Sequence, residues 1–183
     1  MAGYMTIKRK TEMKKKTTLA LGAAVALSLA VPSIGFAANA AKDESRSVKD
    51  FTDISLMGSL DLDVTVGKKT SVKVIAPDDL IDKIITEDKG DTLKVRYEKH
   101  MKWNRAWNNK EIRVEVTMPD LKAASLLGSG DLNVTGGKGK AFDLALKGSG
   151  DATVTKSDYG SVEISLMGSG DISIDGQCDS ISV

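Results

Sequence analysis

Gly-Ser-Gly-Asp occurs three times at a fixed spacing of twenty residues, at 128–131, 148–151 and 168–171. Several chemistries use such a loop. A phosphate cradle needs the glycine loop to open a helix, whose N–H groups meet the anion. Here alternating strand-like segments lie on both sides and no lysine-serine pair follows. A calcium-binding β-roll repeats every nine residues and brings its aspartates together from two sides. At a spacing of twenty, each aspartate stacks on another. A nucleophilic serine at 129, 149 or 169 needs a base, and the only histidine is His100. The structural reading therefore outweighs the chemical ones. Gly128, Gly130, Gly148, Gly150, Gly168 and Gly170 supply the backbone freedom of a sharp corner. Asp131, Asp151 and Asp171 accept from nearby backbone N–H groups.

A second candidate is the stretch "YEKHMKWNRAWNNK" at 97–110, the one polar-aromatic segment of the chain. Trp103 and Trp107 suit stacking on a sugar ring, with His100 and Arg105 as hydrogen-bonding neighbours. A glycan or a surface protein is the partner such a loop implies. A carboxylate pair beside those tryptophans would favour glycoside hydrolysis. Tryptophans folded back onto a sheet would remove the binding reading. No second histidine or cysteine accompanies His100, so no metal site and no cofactor are expected. A third feature is the row Met57, Leu127, Lys147 and Met167, each just before a corner and facing outward. It forms either a docking strip or a surface covered by 68–121.

The elements that must position these residues are strands. Phe142, Leu144 and Leu146 alternate with polar neighbours, as do Ala152 and Val154 after the corner. The same pattern holds for Leu126, Leu132 and Val134, and for Val162, Ile164, Leu166, Ile172 and Ile174. Strict period-two alternation predicts half-buried strands. "SLLGSGDLNV", "ALKGSGDATV" and "SLMGSGDISI" align without gaps, and "SLMGSLDLDV" from Ser55 is a relative with Leu60 in place of glycine. Two strands and two corners in twenty residues predict an all-β fold, a parallel β-helix or β-solenoid with GSGD-cornered turns. The region 68–121 breaks the pattern. Strands are expected at 71–76, 84–87 and 92–98, with one helical turn after Pro77 and a turn at Lys89-Gly90. This irregular β region forms either wider turns or a cap. Ile181 and Val183 begin a strand with no corner after it, so the domain is expected to continue, or a partner (a second copy included) to cover the open rung.

Residues 1–40 have the order of a secretory signal peptide. Six basic residues precede the apolar run "LALGAAVALSLAV", and Pro32 and small residues ending at Ala40 follow. The run is shorter than the ~20 residues of a membrane-spanning helix. "MKKKTTLALG" from Met13 is already a complete start, so 1–12 read as an over-extended beginning. Export to the periplasm or cell surface is expected, with at most peripheral membrane association. Residues 41–47 are then a flexible lead-in and 48–183 a single domain. Without the leader's six basic residues and Glu12, the 26 basic and 25 acidic residues become 20 and 24, a net charge near −4. That balance excludes nucleic acid as the partner. Cys178 stands alone, so no intrachain disulfide forms.

With the leader, "SLMGSLDLDVTVG", "VKVIAPDDLIDKIITEDKGDTLKVRYE", "IRVEVTMPDLKAASLLGSGDLNV" and the recurring GSGD corners, the chain resembles the head GIN domain family of auto-transporter adhesins (DUF2807). The resemblance runs from about Val48 to Val183. It implies an envelope protein of the Bacteroidetes type with a structural or adhesin-like, non-enzymatic role. It transfers no catalytic or ligand-binding residue.

Overall fold

Alternating side chains commit each segment to one buried and one solvated face. A computed structural model describes residues 3–4 and 41–183. The leader expected over 1–40 otherwise lies outside the described residues. In chain order the elements are β1 (Gly3–Tyr4), β2 (Lys42–Arg46), β3 (Asp53–Gly58), β4 (Asp61–Val66), β5 (Ser71–Ala76) and α1 (Asp78–Ile81). Then come β6 (Ile84–Lys89), β7 (Thr92–Tyr97), a 3-10 turn (Arg105–Trp107), β8 (Arg113–Met118) and β9 (Ala123–Gly128). The last four are β10 (Leu132–Thr135), β11 (Lys138–Gly148), β12 (Ala152–Gly168) and β13 (Ile172–Ser182). Lys42–Arg46, within the segment expected as a flexible lead-in, is thus a strand paired with β5.

Eleven strands join in one hydrogen-bonded path, β2-β5-β8-β4-β10-β12-β11-β9-β3-β7-β6, with β13 alongside β12. The 17-residue β12 lets the sheet turn back on itself, its first part pairing β10 and its later part pairing β11. The two ends approach each other across α1. Arg46 Nη2 donates to Ile81 O at 2.9 Å, and the Lys49 N–H donates to Asp88 Oδ2 at 3.2 Å. The result is a nearly closed, barrel-like mixed sheet.

This overturns the expected parallel β-helix or solenoid. A solenoid needs every connection to carry the chain forward in the same sense. Here Gly90, at φ 65°, makes the hairpin that sets β6 antiparallel to β7. β8 inserts between β4 and β5, parallel to one and antiparallel to the other. The stretch 68–121 is therefore neither a cap nor a set of wider turns, because it supplies strands to the same sheet. The twenty-residue spacing is still a pairing register. Gly148 lies beside Gly128 and Gly168, and Leu132 beside Leu62 and Ala152, all in parallel.

The core fills the inside of this sheet with the residues that the alternation selects, Leu56, Leu62, Leu126, Leu132, Phe142, Leu144, Leu146, Ala152 and Val154 among them. Phe142 stacks on Tyr159 at 5.0 Å between ring centroids, and the Tyr159 hydroxyl donates to Leu121 O at 2.8 Å. Burial, and next the charge of Asp120, pushes the Tyr159 hydroxyl up to about 12. Burial, and next the charge of Asp61, does the same for Tyr97. Both phenols hold their protons more tightly folded than unfolded. Their contribution is intact below pH about 10 and is lost as the pH rises toward 12. A series of denaturant melts should show stability falling across that alkaline window, with Tyr159→Phe reducing the fall.

Candidate functional site

Between β7 and β8 the chain spends fifteen residues, 98–112, on one excursion. Asn104 starts its 3-10 turn, with Oδ1 accepting from the Ala106 N–H at 3.0 Å. That turn sends Trp107 inward and Trp103 outward. Trp107 is 5% exposed, and its Nε1 donates to the Asp79 carboxylate of α1, 3.0 Å from either oxygen. Trp103 is 46% exposed and stacks edge-on between Tyr97, at 5.7 Å, and Trp107, at 5.4 Å. Its Nε1 donates to Asn108 Oδ1 at 2.6 Å. His100 and Arg105 are exposed, and His100 takes a left-handed φ of 62°. The excursion therefore offers solvent one indole, Trp103, with the Asn108 amide occupied behind it. Trp107 is a core residue and cannot stack on a ligand. Asp79, the carboxylate beside it, is committed to the indole.

The corners are built by two kinds of glycine. Gly58, Gly128, Gly148 and Gly168 have φ values of 109°, 148°, 138° and 137°, which side chains rarely adopt. Gly130, Gly150 and Gly170 have no such requirement. A Cβ on any of them would overlap a carbonyl oxygen of the neighbouring corner, Leu60, Gly130 or Gly150 respectively. Close approach is the reason for the second glycine. Leu60 stands at the end of that row and is fully buried. The aspartates form a relay. Asp61 Oδ1 accepts from the Asp131 N–H at 3.0 Å, Asp131 from Asp151 at 3.2 Å, and Asp151 from Asp171 at 2.9 Å. All four are exposed. Among the described residues, no group of three or more His, Cys, Asp or Glu could hold a metal ion.

The outward row before the corners is uncovered by 68–121. Met57 pairs across the sheet with Leu127, Leu127 with Lys147, and Lys147 with Met167. The three apolar members are 38%, 39% and 60% exposed. Met57 and Leu127 lie on adjacent strands about 4.8 Å apart, and Lys147 stands between Leu127 and Met167, so the row is one strip on a rigid face, interrupted by a lysine.

A family model described as "Putative auto-transporter adhesin, head GIN domain" (DUF2807) matches residues 50–183. The chain belongs to this family. Comparison with curated proteins found no match. Among solved structures, a putative adhesin from Bacteroides fragilis is similar at 24% identity and a TM-score of 0.66, covering 72% of this chain. The chain spans 61% of that protein. A putative lipid binding protein from Parabacteroides distasonis gives 22% identity and a TM-score of 0.56, covering 76% of this chain and 68% of its own. A putative adhesin from the same organism gives 19% and 0.55, covering 76% and 67%. At these identities the likeness is one of fold. Among the described residues of this head GIN domain, no helix is long and apolar enough to cross a membrane.

Two partners, Asp79 and Asp61, were not singled out from the head GIN sequence. Asp79 lies 28 residues from the indole it holds, whereas Tyr97 ends a strand within the span expected at 92–98. Asp61 is the fourth member of the relay, and its alignment with Asp131 in "SLMGSLDLDV" was the available signal. The relay carries its own prediction. Asp131→Ala removes the acceptor for the Asp151 N–H and should cost about 1 kcal/mol. Asp131→Asn keeps an acceptor and relieves like-charge repulsion along the row, so urea melts should place it within about 0.5 kcal/mol of wild type.

Proposed function

We propose that this is an exported, envelope-associated protein with a non-enzymatic, adhesin-like binding role. The observation that carries the reading is the Met57–Leu127–Met167 strip. Apolar side chains left exposed in one row of a rigid sheet, here broken only by Lys147, mark interaction surfaces. Membership of an adhesin-type family and a leader-like beginning support the same role and an extracytoplasmic location.

A carbohydrate-binding reading rests on Trp103 alone, since it is the half-exposed aromatic of the 98–112 excursion. Both readings are tested by one array of immobilised glycans and matrix proteins, probed with wild type, Trp103→Ala and Met57→Ser/Leu127→Ser/Met167→Ser. The proposed role predicts binding that survives Trp103→Ala and is lost in the triple variant. Loss confined to Trp103→Ala would move the site to the loop, and no binding to any member would overturn the role.

A further inference from the structure

β4, β10 and β12 run parallel and in register, so their leading ends share one edge of the sheet and their trailing ends the other. The leading ends carry Asp61, Asp131 and Asp151. Beyond the trailing ends come Lys68 and Lys69, Lys138, and Lys156 within β12's bend, all exposed. Among the described residues these four lysines make no ion pair, unlike Lys42, Lys73 and Lys89. Lys138 and Lys156 flank a shallow groove floored by Val66, Gly67 and Pro119, with Asp158 at its side. The strands separate the two rows by roughly 20 Å. That exceeds the Debye length of about 8 Å at physiological salt, so the rows do not neutralise each other within one molecule.

We infer that the lysine edge is a docking surface for a second copy of this chain, which presents its aspartate corner. Charge complementarity selects the occupant. The aspartates repeat in register about 4.8 Å apart at the leading ends, and Lys68, Lys138 and Lys156, set at different depths along the opposite edge, offer them one basic patch. The glycine-floored groove lets a corner approach closely. The contact joins two different surfaces, so it is heterologous, and it propagates head to tail unless its rotation closes a ring. This goes beyond the binding role proposed above and does not depend on it.

Sedimentation velocity at low and high salt tests the contact in wild type, Lys138→Asp/Lys156→Asp and Asp131→Lys/Asp151→Lys. Wild type should associate at low salt and dissociate at high salt. Each double variant cancels the charge of one edge, since Lys68 and Lys69 remain beside two new aspartates and Asp61 and Asp171 beside two new lysines, and should lose at least tenfold in self-association. An equimolar mixture of the two should regain it, because each then offers what the other lacks. The lysine variant touches no hydrogen bond of the aspartate relay, so it stays informative if the aspartate variant unfolds. Wild type that is monomeric at low salt would overturn the inference, as would association indifferent to the lysine reversal. A monomer that binds anionic vesicles through these lysines would overturn it in favour of a membrane surface. None of these results bears on the apolar strip.

Discussion

Gly150→Ala is expected to destabilise the fold by about 3 kcal/mol or more, through overpacking against backbone that cannot move aside. The added methyl would overlap the Gly130 carbonyl oxygen and lie 3.0 Å from the Ser129 carbonyl carbon. Gly130 in turn is packed against Leu60, and Gly170 against Gly150. Relief at one corner therefore requires displacing the next. For a domain of this size the loss lowers the melting temperature by about 10 °C. Gly90→Ala is the matched control. Its φ of 65° imposes the left-handed penalty of about 1–2 kcal/mol, but no atom lies within 4 Å of the added group. Thermal melts should therefore rank Gly150→Ala well below Gly90→Ala. Equal melting would show that the corners are not held by close packing.

The second large effect is at Trp107. Trp107→Ala empties a buried site and removes the indole's hydrogen bond to the exposed Asp79 carboxylate, so a loss of about 3–5 kcal/mol is expected. Trp103→Ala, at the half-exposed neighbour, should cost less than about 1 kcal/mol. Two tryptophans four residues apart thus separate into a structural and a surface residue. Denaturant melts of the two variants decide it, and a Trp107→Ala protein as stable as Trp103→Ala would mean that the indole is not in the core.

Period-two alternation is a local signal, and it found local structure. β5 at 71–76 coincides with its expected span, and the helical turn after Pro77 and the Lys89-Gly90 turn are present. The register of Leu126, Leu146 and Leu166 across neighbouring strands was legible for the same reason. Pairing direction was legible among the repeats, which are parallel as expected, and was not in 68–121. Nothing in "IRVEVTM" tells β8 to enter between β4 and β5, because that choice depends on where three separate segments meet. The tryptophans were ambiguous because an aromatic side chain in a loop faces either way, and Asp79 decides for Trp107 from another element. The charges along the strands looked like ordinary solvated faces. The stacked aspartates were legible from the twenty-residue spacing, whereas the lysines of the opposite edge come from unlike positions that only the folded sheet brings to one side.

In the proposed role the exposed row of the sheet, and not the GSGD corners or the loop, makes the binding contact. The most direct measurement is the affinity for whichever array ligand binds wild type, compared between wild type and Met57→Ser/Leu127→Ser/Met167→Ser at matched melting temperature. At least a tenfold loss is expected, since about 1.4 kcal/mol is tenfold and three apolar side chains covered on binding exceed that. An unchanged affinity would contradict it.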